Sequence, residues 1–186
     1  VIDGKPVTSI GDNAFEGAAS IITTVIIADS VRSIGNGAFL ECMFMTSVMI
    51  SESVISIGDY AFSGSGLTYL YIPSNVTSIG RGVCSGCLSL TIIEASTDNS
   101  NYSSVDGALY NKTLTELIQY PGGQAGAFII PESVTAIADE AFASCQYLTS
   151  VTITDNVTSI GFGAFIYCTA LSSITIPDSV ISIGSS

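Results

Sequence analysis

Apolar and polar residues recur along this chain with a common spacing of 22 to 24 residues, and the pattern within each repeat is nearly constant. The clearest copy is LTSVTITDNVTSIGFGAFIYC, residues 148–168, in which Val151 and Ile153 alternate with serine and threonine. Alternation with a period of two in β-branched residues predicts a short strand with one buried face. The following VTSIG alternates in the same way and predicts a second extended segment in every repeat.

A short phrase returns seven times, first as VTSIGDNAF from Val7 and last, truncated, as VISIG from Val180. The glycine after the isoleucine predicts a sharp turn, and the Ala-Phe pair supplies a small and a large side chain for the interior. One repeat cannot bury its apolar face alone, whereas stacked repeats place equivalent residues about 4.8 Å apart. We therefore expect rows of isoleucine, valine and phenylalanine along a solenoid.

The full skeleton, L-x-x-V-x-I-x-x-x-V-x-x-I-G-x-x-A-F-x-x-C, resembles the BspA-like leucine-rich repeat of bacterial and protist surface proteins. Residues 99–121, NSNYSSVDGALYNKTLTELIQYP, are similar to that family's variant repeat. Turns at Asp106-Gly107 and Asn111-Lys112-Thr113 predict an inserted hairpin there. Period and resemblance together predict a leucine-rich-repeat solenoid of the α/β horseshoe type. It would be a right-handed coil of about seven repeats of ~23 residues, mainly parallel β with short helical or 3-10 turns.

We expect residues 1–186 to form a single leucine-rich-repeat domain, with the variant repeat and its hairpin at about 98–122. The last phrase, VISIGSS, stops within a repeat, and the opening VIDGKPVTSIG does not resemble a signal peptide. Both observations favour a fragment of a longer protein.

Charge restricts the partners. The chain has 16 acidic and 4 basic residues, for a formal net charge of −12. Such a balance argues against nucleic acid and against anionic lipid surfaces. No apolar run approaches the roughly 20 residues that span a bilayer, so direct membrane insertion is not expected.

Five cysteines invite a zinc or redox interpretation, above all the pair in Cys84-Ser-Gly-Cys87. However, Cys87 aligns with Cys42, Cys145 and Cys168 in one row, and Cys84 takes a phenylalanine position. The chain has no histidine and no second C-x-x-C that would complete four ligands. We predict free, buried thiols, although the spacing leaves a bridge between Cys145 and Cys168 open.

The sequence predicts no catalytic, cofactor or metal site. Asp12, Glu16, Asp139 and Glu140 occupy variable positions beside the Ala-Phe pair, where we expect them to face solvent. A glycosidase needs two carboxylates across about 5–9.5 Å of a cleft, and a serine nucleophile needs a base, which the absent histidine does not supply. An enzyme would require a deep pocket with converging carboxylates around the 99–121 insertion.

Two further polar features leave alternatives open, a segment considered for calcium binding and a set of glycosylation sequons. DNSNYSSVD, residues 98–106, is rich in oxygen ligands but lacks the glycine and spaced acids of a calcium loop. Four N-x-S/T sequons would matter only in a glycosylating secretory pathway. They begin at Asn75, Asn101, Asn111 and Asn156.

Alternation also predicts which side chains of the concave sheet face solvent. Its middle positions read Ile26, Met49, Tyr71, Ile92, Ile129, Thr152 and Thr175, of which the first five are apolar. Exposed apolar residues favour an interface, to which tyrosine brings rigid contact area, but cross-strand pairing that stabilises the sheet is the alternative. The candidate partner-binding residues are Ile26, Met49, Tyr69, Tyr71, Ile92, Glu94 and Ile129.

The leading hypothesis is a non-catalytic, secreted or cell-surface module that binds protein or glycan through its concave face. The resemblance implies adhesion to host matrix proteins, host cells or other microbes, and therefore an extracellular location. The alternative is a structural spacer that displays another domain of a longer surface protein and has no ligand of its own.

Overall fold

The computed structural model describes residues 5–18 and 22–185, and in these ranges the chain forms strands and turns but no helix. The solenoid predicted from the repeat is confirmed, with coils that stack in parallel about 23 residues apart. The strands are, in chain order, β1 (Ser9–Ile10), β2 (Thr24–Ile26), β3 (Ser33–Ile34), β4 (Ser47–Met49), β5 (Ser56–Ile57), β6 (Tyr69–Ile72), β7 (Ser78–Ile79), β8 (Ile92–Ala95), β9 (Tyr102–Val105), β10 (Ala108–Asn111), β11 (Glu116–Gln119), β12 (Gly126–Ile129), β13 (Ala136–Ile137), β14 (Leu148–Thr152), β15 (Ser159–Ile160), β16 (Ile174–Thr175) and β17 (Ser182–Ile183).

Each regular coil contributes strands to two sides of the solenoid. The strands of the serine-isoleucine phrase lie on one side, which we call the second sheet: β1, β3, β5 and β7, then β13, β15 and β17. The other side, called the first sheet here, contains β2, β4, β6, β8, β12, β14 and β16. Equivalent residues pair in register, such as Ile34 with Ile57 in the second sheet and Val25 with Val48 in the first.

The predicted phenylalanine row forms before the hairpin. The rings of Phe15 and Phe39 stack with centroids 5.2 Å apart, and those of Phe39 and Phe62 with centroids 5.6 Å apart. Phe39 and Phe62 are buried, as is Cys84, which takes the next position in the row and ends this stack. The row thus fills the interior by offset aromatic stacking, which adds to the gain from burial alone.

A tyrosine that the sequence did not reveal continues the row after the hairpin. The Tyr120 amide donates to the Ala141 carbonyl (2.7 Å), as the Phe142 amide does to that of Ala164 (2.8 Å). The ring centroids of Tyr120 and Phe142 are 5.1 Å apart, and those of Phe142 and Phe165 are 4.9 Å apart. Tyr120 is therefore the phenylalanine equivalent of the variant coil.

In the described ranges the predicted helical or 3-10 turns do not form, because two residues in each regular coil adopt left-handed backbone conformations four positions apart. In the coil of Phe39 they are Gly37 and Glu41, both with φ of 57°. A right-handed helix cannot pass through such residues. The Gly37 and Phe39 amides instead donate to the carbonyls of Asp59 and Ala61 in the next coil, both at 2.8 Å, so the donors are already used.

From Gly35 onward, the glycine of the SIG phrase serves close stacking on the preceding coil rather than a sharp turn. A Cβ atom at Gly35 would lie 2.6 Å from the Asp12 backbone nitrogen, and one at Gly58 would lie 2.6 Å from that of Asn36. Neither glycine has a positive φ, so our expectation about its role in turning was wrong. Ala138 takes this position only in the coil that follows the variant coil, where the preceding strand is β11.

Residues 102–119 form three antiparallel strands, for which we keep the name hairpin. β9 pairs with β10 around the Asp106-Gly107 turn, and β10 pairs with β11. β11 then runs parallel to β13 and rejoins the second sheet. The hairpin also separates the interior into two clusters of buried side chains, one before it that ends with Leu109 and one that runs from Ala108 to Ala164.

Candidate functional site

Short strands of alternating pattern position the candidate residues on the outer side of the first sheet. In β4, Val48 is buried while Met49 is 61% exposed, and Ile26 in the neighbouring β2 is 72% exposed. In β6, Leu70 is buried, Tyr69 is exposed and Tyr71 is half-buried. We call the outward side chains of these strands the first-sheet face.

The strand register corrects one predicted neighbour. The buried residues Leu70 and Ile93 pair directly, so Ile92 lies beside Tyr69. It does not follow Tyr71 in the middle row, as we expected; the residue beside Tyr71 is Glu94. A carboxylate therefore stands in the row that the sequence analysis read as apolar.

Glu94 is anchored by a hydrogen bond that crosses the strand pair diagonally. The Tyr69 hydroxyl donates to Glu94 Oε2 at 2.6 Å. Burial, followed by this bond and the charge of Glu94, raises the pKa of Tyr69 to about 12. The phenol therefore stays protonated and remains a donor through the physiological range.

The hairpin divides the first-sheet face and sets one candidate apart. The Ile93 amide donates to the Gly107 carbonyl at 2.8 Å, so the Asp106-Gly107 turn lies beside β8. Ile129 in β12 is 68% exposed, but it pairs with Thr152 in the sheet after the hairpin. The structure thus places six candidates before the hairpin and Ile129 beyond it.

We did not predict the exposure of two neighbouring apolar side chains, Met43 and Phe44. Met43 is 62% exposed and Phe44 is 59% exposed in the loop that leads to β4. The signal was visible in ECMFMTSVMI, since the equivalent pairs after the other row cysteines, Leu88-Ser89, Gln146-Tyr147 and Thr169-Ala170, each contain a polar residue.

All five cysteines are free thiols; four are buried, as predicted, whereas Cys168 is half-buried. The thiols of the cysteine row donate to the carbonyl of the aromatic residue one coil earlier. Cys42 donates to Phe15 at 3.2 Å, and Cys87 donates to Phe62 at 3.0 Å. Burial raises the pKa of Cys87 to about 11, and it raises that of Cys84 as well. Protonated thiols of this kind are poor nucleophiles and poor metal ligands.

Cys145 and Cys168 lie in adjacent coils but remain separate thiols. The Cys168 thiol donates to the Phe142 carbonyl at 3.0 Å. Within residues 5–18 and 22–185, no group of three or more cysteine, aspartate or glutamate side chains converges to hold a metal ion.

The 98–106 segment is held by a buried asparagine. The Asn99 amide nitrogen donates to the carbonyls of Pro73 and Val76, at 2.7 and 3.0 Å. Its side-chain oxygen accepts from the Asn101 and Tyr102 amides, both at 2.8 Å. These bonds fix the start of the hairpin and account for this asparagine without a bound ion.

Three of the sequon asparagines also have structural partners. The side-chain amides of Asn75 and Asn156 donate at 2.8 Å to the backbone carbonyls of Glu52 and Glu132, one coil earlier. Asn111 bonds Thr115 within the hairpin.

A groove of about 700 Å³ opens where the hairpin leaves the second sheet. Its walls include Arg81, Glu116 and Asp139. Asp139 Oδ1 accepts from the Phe162 amide at 2.7 Å, which commits this carboxylate to the stacking of coils. The groove meets only part of the expectation for an enzyme, because one of its two carboxylates already has this structural partner.

Glu140 is buried, with 7% of its surface exposed, so the prediction that it faces solvent was wrong. It accepts a hydrogen bond from the Tyr60 hydroxyl. The reason lies in the variant coil, which has two residues between Leu117 and Tyr120 where the next coil has four before Phe142. Because the variant coil is two residues shorter at this point, the coils on either side of the variant coil touch each other. Ser85 Oγ likewise donates to the Ala143 carbonyl at 3.2 Å across this contact.

Comparisons with known proteins agree with this geometry. Residues 8–125 and 120–186 match the family model described as BspA type leucine-rich repeat region, in six copies. A comparison with curated proteins found no match. None of the described residues forms a helix long and apolar enough to cross a membrane.

Three solved structures resemble the chain over most of its length. The pneumococcal vaccine antigen PcpA is 26% identical with a TM-score of 0.86, and the match covers 96% of this chain and 44% of that one. A leucine-rich cell surface protein from Faecalibacterium prausnitzii is 34% identical with a TM-score of 0.81, covering 96% and 54%. A leucine-rich repeat protein from Eubacterium ventriosum is 33% identical with a TM-score of 0.80, covering 95% and 53%. The chain thus spans about half the length of these proteins.

Proposed function

Because the chain belongs to the BspA-type leucine-rich repeat proteins, we propose that it is a non-catalytic adhesion module, secreted or at a cell surface. Its ligand is a protein or glycan on a host or microbial surface. The name of the Faecalibacterium relative, a cell surface protein, supports the location, and the family is a repeat family rather than a catalytic one.

One observation carries this proposal: the first-sheet face before the hairpin exposes paired apolar side chains on neighbouring strands. Met49 and Ile26 pair side by side, and both are more than half exposed. Tyr69 and Ile92 form the next such pair, 41% and 46% exposed. Exposed apolar side chains paired in this way on neighbouring strands are typical of interaction sites.

Stabilisation of the sheet is a weaker explanation for these residues. After the hairpin, Thr152 and Thr175 pair in the same row of the same fold. The solenoid therefore also stacks with hydroxyl side chains in this row. Stacking therefore does not require the exposed apolar side chains of Ile26, Met49, Tyr69 and Ile92 before the hairpin.

The test is a triple variant, Met49→Ser, Tyr69→Ser and Tyr71→Ser, examined for binding to purified extracellular-matrix proteins, mucin glycans and mucosal cells. The control replaces Ser150, Thr152 and Thr175 by alanine on the other half of the same face. We expect loss of binding only in the first variant, with little change in the thermal midpoint of either. Undiminished binding by the first variant would exclude this face.

A structural spacer is the second candidate, and the polar half of the first-sheet face favours it. There Ser150 and Thr152 are exposed and offer no apolar contact. If this chain only displays another domain, it would bind no member of the panel while a longer parent protein binds. The parent protein should therefore be assayed alongside.

A further inference from the structure

We propose that Glu94 is the recognition point for a cationic side chain, arginine or lysine, of a protein partner that docks on the first-sheet face. The inference rests on the proposed binding function and names the chemistry of the partner. It assigns the partner a basic residue placed between apolar ones.

Glu94 is exceptional among the residues of this face. In the part of the chain that the structure describes, the seven strands of the first sheet contain one charged residue, and it is Glu94. It is exposed and stands directly beside Tyr71, in the row that begins with Ile26 and Met49. A partner that covers the apolar row must therefore also cover this carboxylate, and an unpaired buried charge is costly.

The carboxylate is held in place before any partner arrives. The Tyr69 hydroxyl donates to Oε2 at 2.6 Å, and an ionised carboxylate retains further lone pairs that accept from a guanidinium or ammonium group. Because the hydrogen bond already limits the rotamers of Glu94, less conformational entropy is lost on binding. The neighbouring Tyr71 ring adds an aromatic surface on which an arginine side chain can pack.

The surrounding charge favours the same partner. The chain carries a net charge of −12, which steers basic partners toward it over long distances. The turn that contains the exposed residue Asp106 lies beside the strand that carries Glu94, since the Gly107 carbonyl accepts from the Ile93 amide in β8. The basic residue on the hairpin, Lys112, donates to the Thr97 carbonyl at 3.3 Å, whereas the hydrogen bond of Glu94 is to Tyr69. Glu94 therefore keeps its charge for a basic group of the partner.

The experiment titrates the isotope-labelled protein with Nα-acetyl-arginine amide and follows backbone amide shifts by NMR. Nα-acetyl-citrulline amide, which has nearly the same shape without the charge, is the control ligand. We expect saturable shifts centred on Tyr71 and Glu94 with the arginine compound and none there with citrulline.

Matched variants separate recognition from structure. Glu94→Gln keeps an acceptor for Tyr69 but removes the charge, and it should weaken arginine-amide binding about two- to fivefold, the range of an exposed ion pair. Tyr69→Phe keeps the charge and removes the restraint, so it should weaken binding less. Glu132→Gln, which removes a charge after β12, should leave binding unchanged.

Two results would overturn the proposal: equal shifts with citrulline amide, or equal affinity in Glu94→Gln and the parent chain. This failure is distinct from failure of the proposed function. If the triple variant loses matrix binding while arginine amide finds no site, the face binds but not through a basic side chain.

Discussion

The coils before the hairpin and the coils after it have interiors built in the same way but present different surfaces. Before the hairpin, Phe39 and Phe62 stack inside, and Met49 and Tyr69 face solvent. After it, Phe142 stacks on Phe165 in the same way, but threonine and serine occupy most of the outward positions.

The difference shows which positions the fold constrains. Interior residues contact their own equivalents in the next coil, so a change in one coil is felt by its neighbours. Outward residues of the first sheet are not enclosed by neighbouring side chains, and the two halves differ there. We therefore expect residues that bind a partner at positions where the halves differ, and residues that stabilise the fold at positions where the halves agree.

The largest effects should come from breaking what the halves share. Phe62→Ala and Phe142→Ala each remove a fully buried ring, and each should lower the free energy of unfolding by about 3–5 kcal/mol. Thr152→Ala on the surface should change it by less than about 0.5 kcal/mol. Chemical denaturation measures these values, and hydrogen exchange should show that each core variant loosens its own half more. A small cost for one of the two would mean that the halves are not packed alike.

A second contrast concerns the close approach of coils. Gly58→Ala would bring a Cβ to 2.6 Å from the Asn36 backbone nitrogen, so we expect a loss of about 1–3 kcal/mol from overpacking. Ala138→Gly, beside the variant coil, should cost only about 0.5–1 kcal/mol from backbone entropy. Denaturant titrations of both variants test this, and equal costs would contradict the stacking role of the glycine.

The contact between the halves provides a third test. Tyr60→Phe leaves the buried Glu140 carboxylate without its donor and should lower the free energy of unfolding by about 1.5–3 kcal/mol. Tyr147→Phe, an exposed residue after the hairpin, is the matched control and should have almost no effect. The double variant Tyr60→Phe, Glu140→Met should recover most of the loss, because no buried charge then lacks a partner. If the double variant is no more stable than Tyr60→Phe, the hydrogen bond is not what links the halves.

These contrasts also show how much of the molecule the sequence could predict. The rows of phenylalanine and isoleucine were predictable, because spacing fixes which residues stack. Tyr120 was not, because 38 residues separate Ile79 from its equivalent Leu117 and the Ala-Phe phrase is absent there. Glu140 looked exposed because its burial depends on two residues that a different coil lacks. The prediction of helical turns was wrong because residues such as Glu41 and Tyr60 adopt left-handed conformations, which these residue types do not indicate in a sequence.

The candidate face was predictable in orientation but not in neighbours. Alternation placed Met49 and Ile92 outward, and the structure exposes both. The pairing of Glu94 with Tyr71 required the strand register, and the Tyr69–Glu94 bond required side-chain positions. Their role in binding a partner stays a prediction.

The smallest expected effect is a change in the pKa of Tyr69, on the apolar half of the first-sheet face, the half before the hairpin. Burial and the neighbouring Glu94 raise the pKa of Tyr69 to about 12, so its neutral form is favoured in the folded chain. The stability that this contributes is fully present below pH about 10, the ordinary tyrosine pKa, and is lost as pH rises toward 12. Glu94→Gln removes the carboxylate charge, which raises the pKa of Tyr69 less than burial does. The pKa of Tyr69 should therefore move part of the way back toward 10 in this variant, whereas Glu132→Gln should not move it. NMR of tyrosine labelled at the ring carbon that bears the hydroxyl, assigned with Tyr69→Phe, resolves this single titration. An unchanged pKa in Glu94→Gln would show that the carboxylate does not face the phenol in solution, and the apolar half of the face would then have no fixed charge to distinguish it.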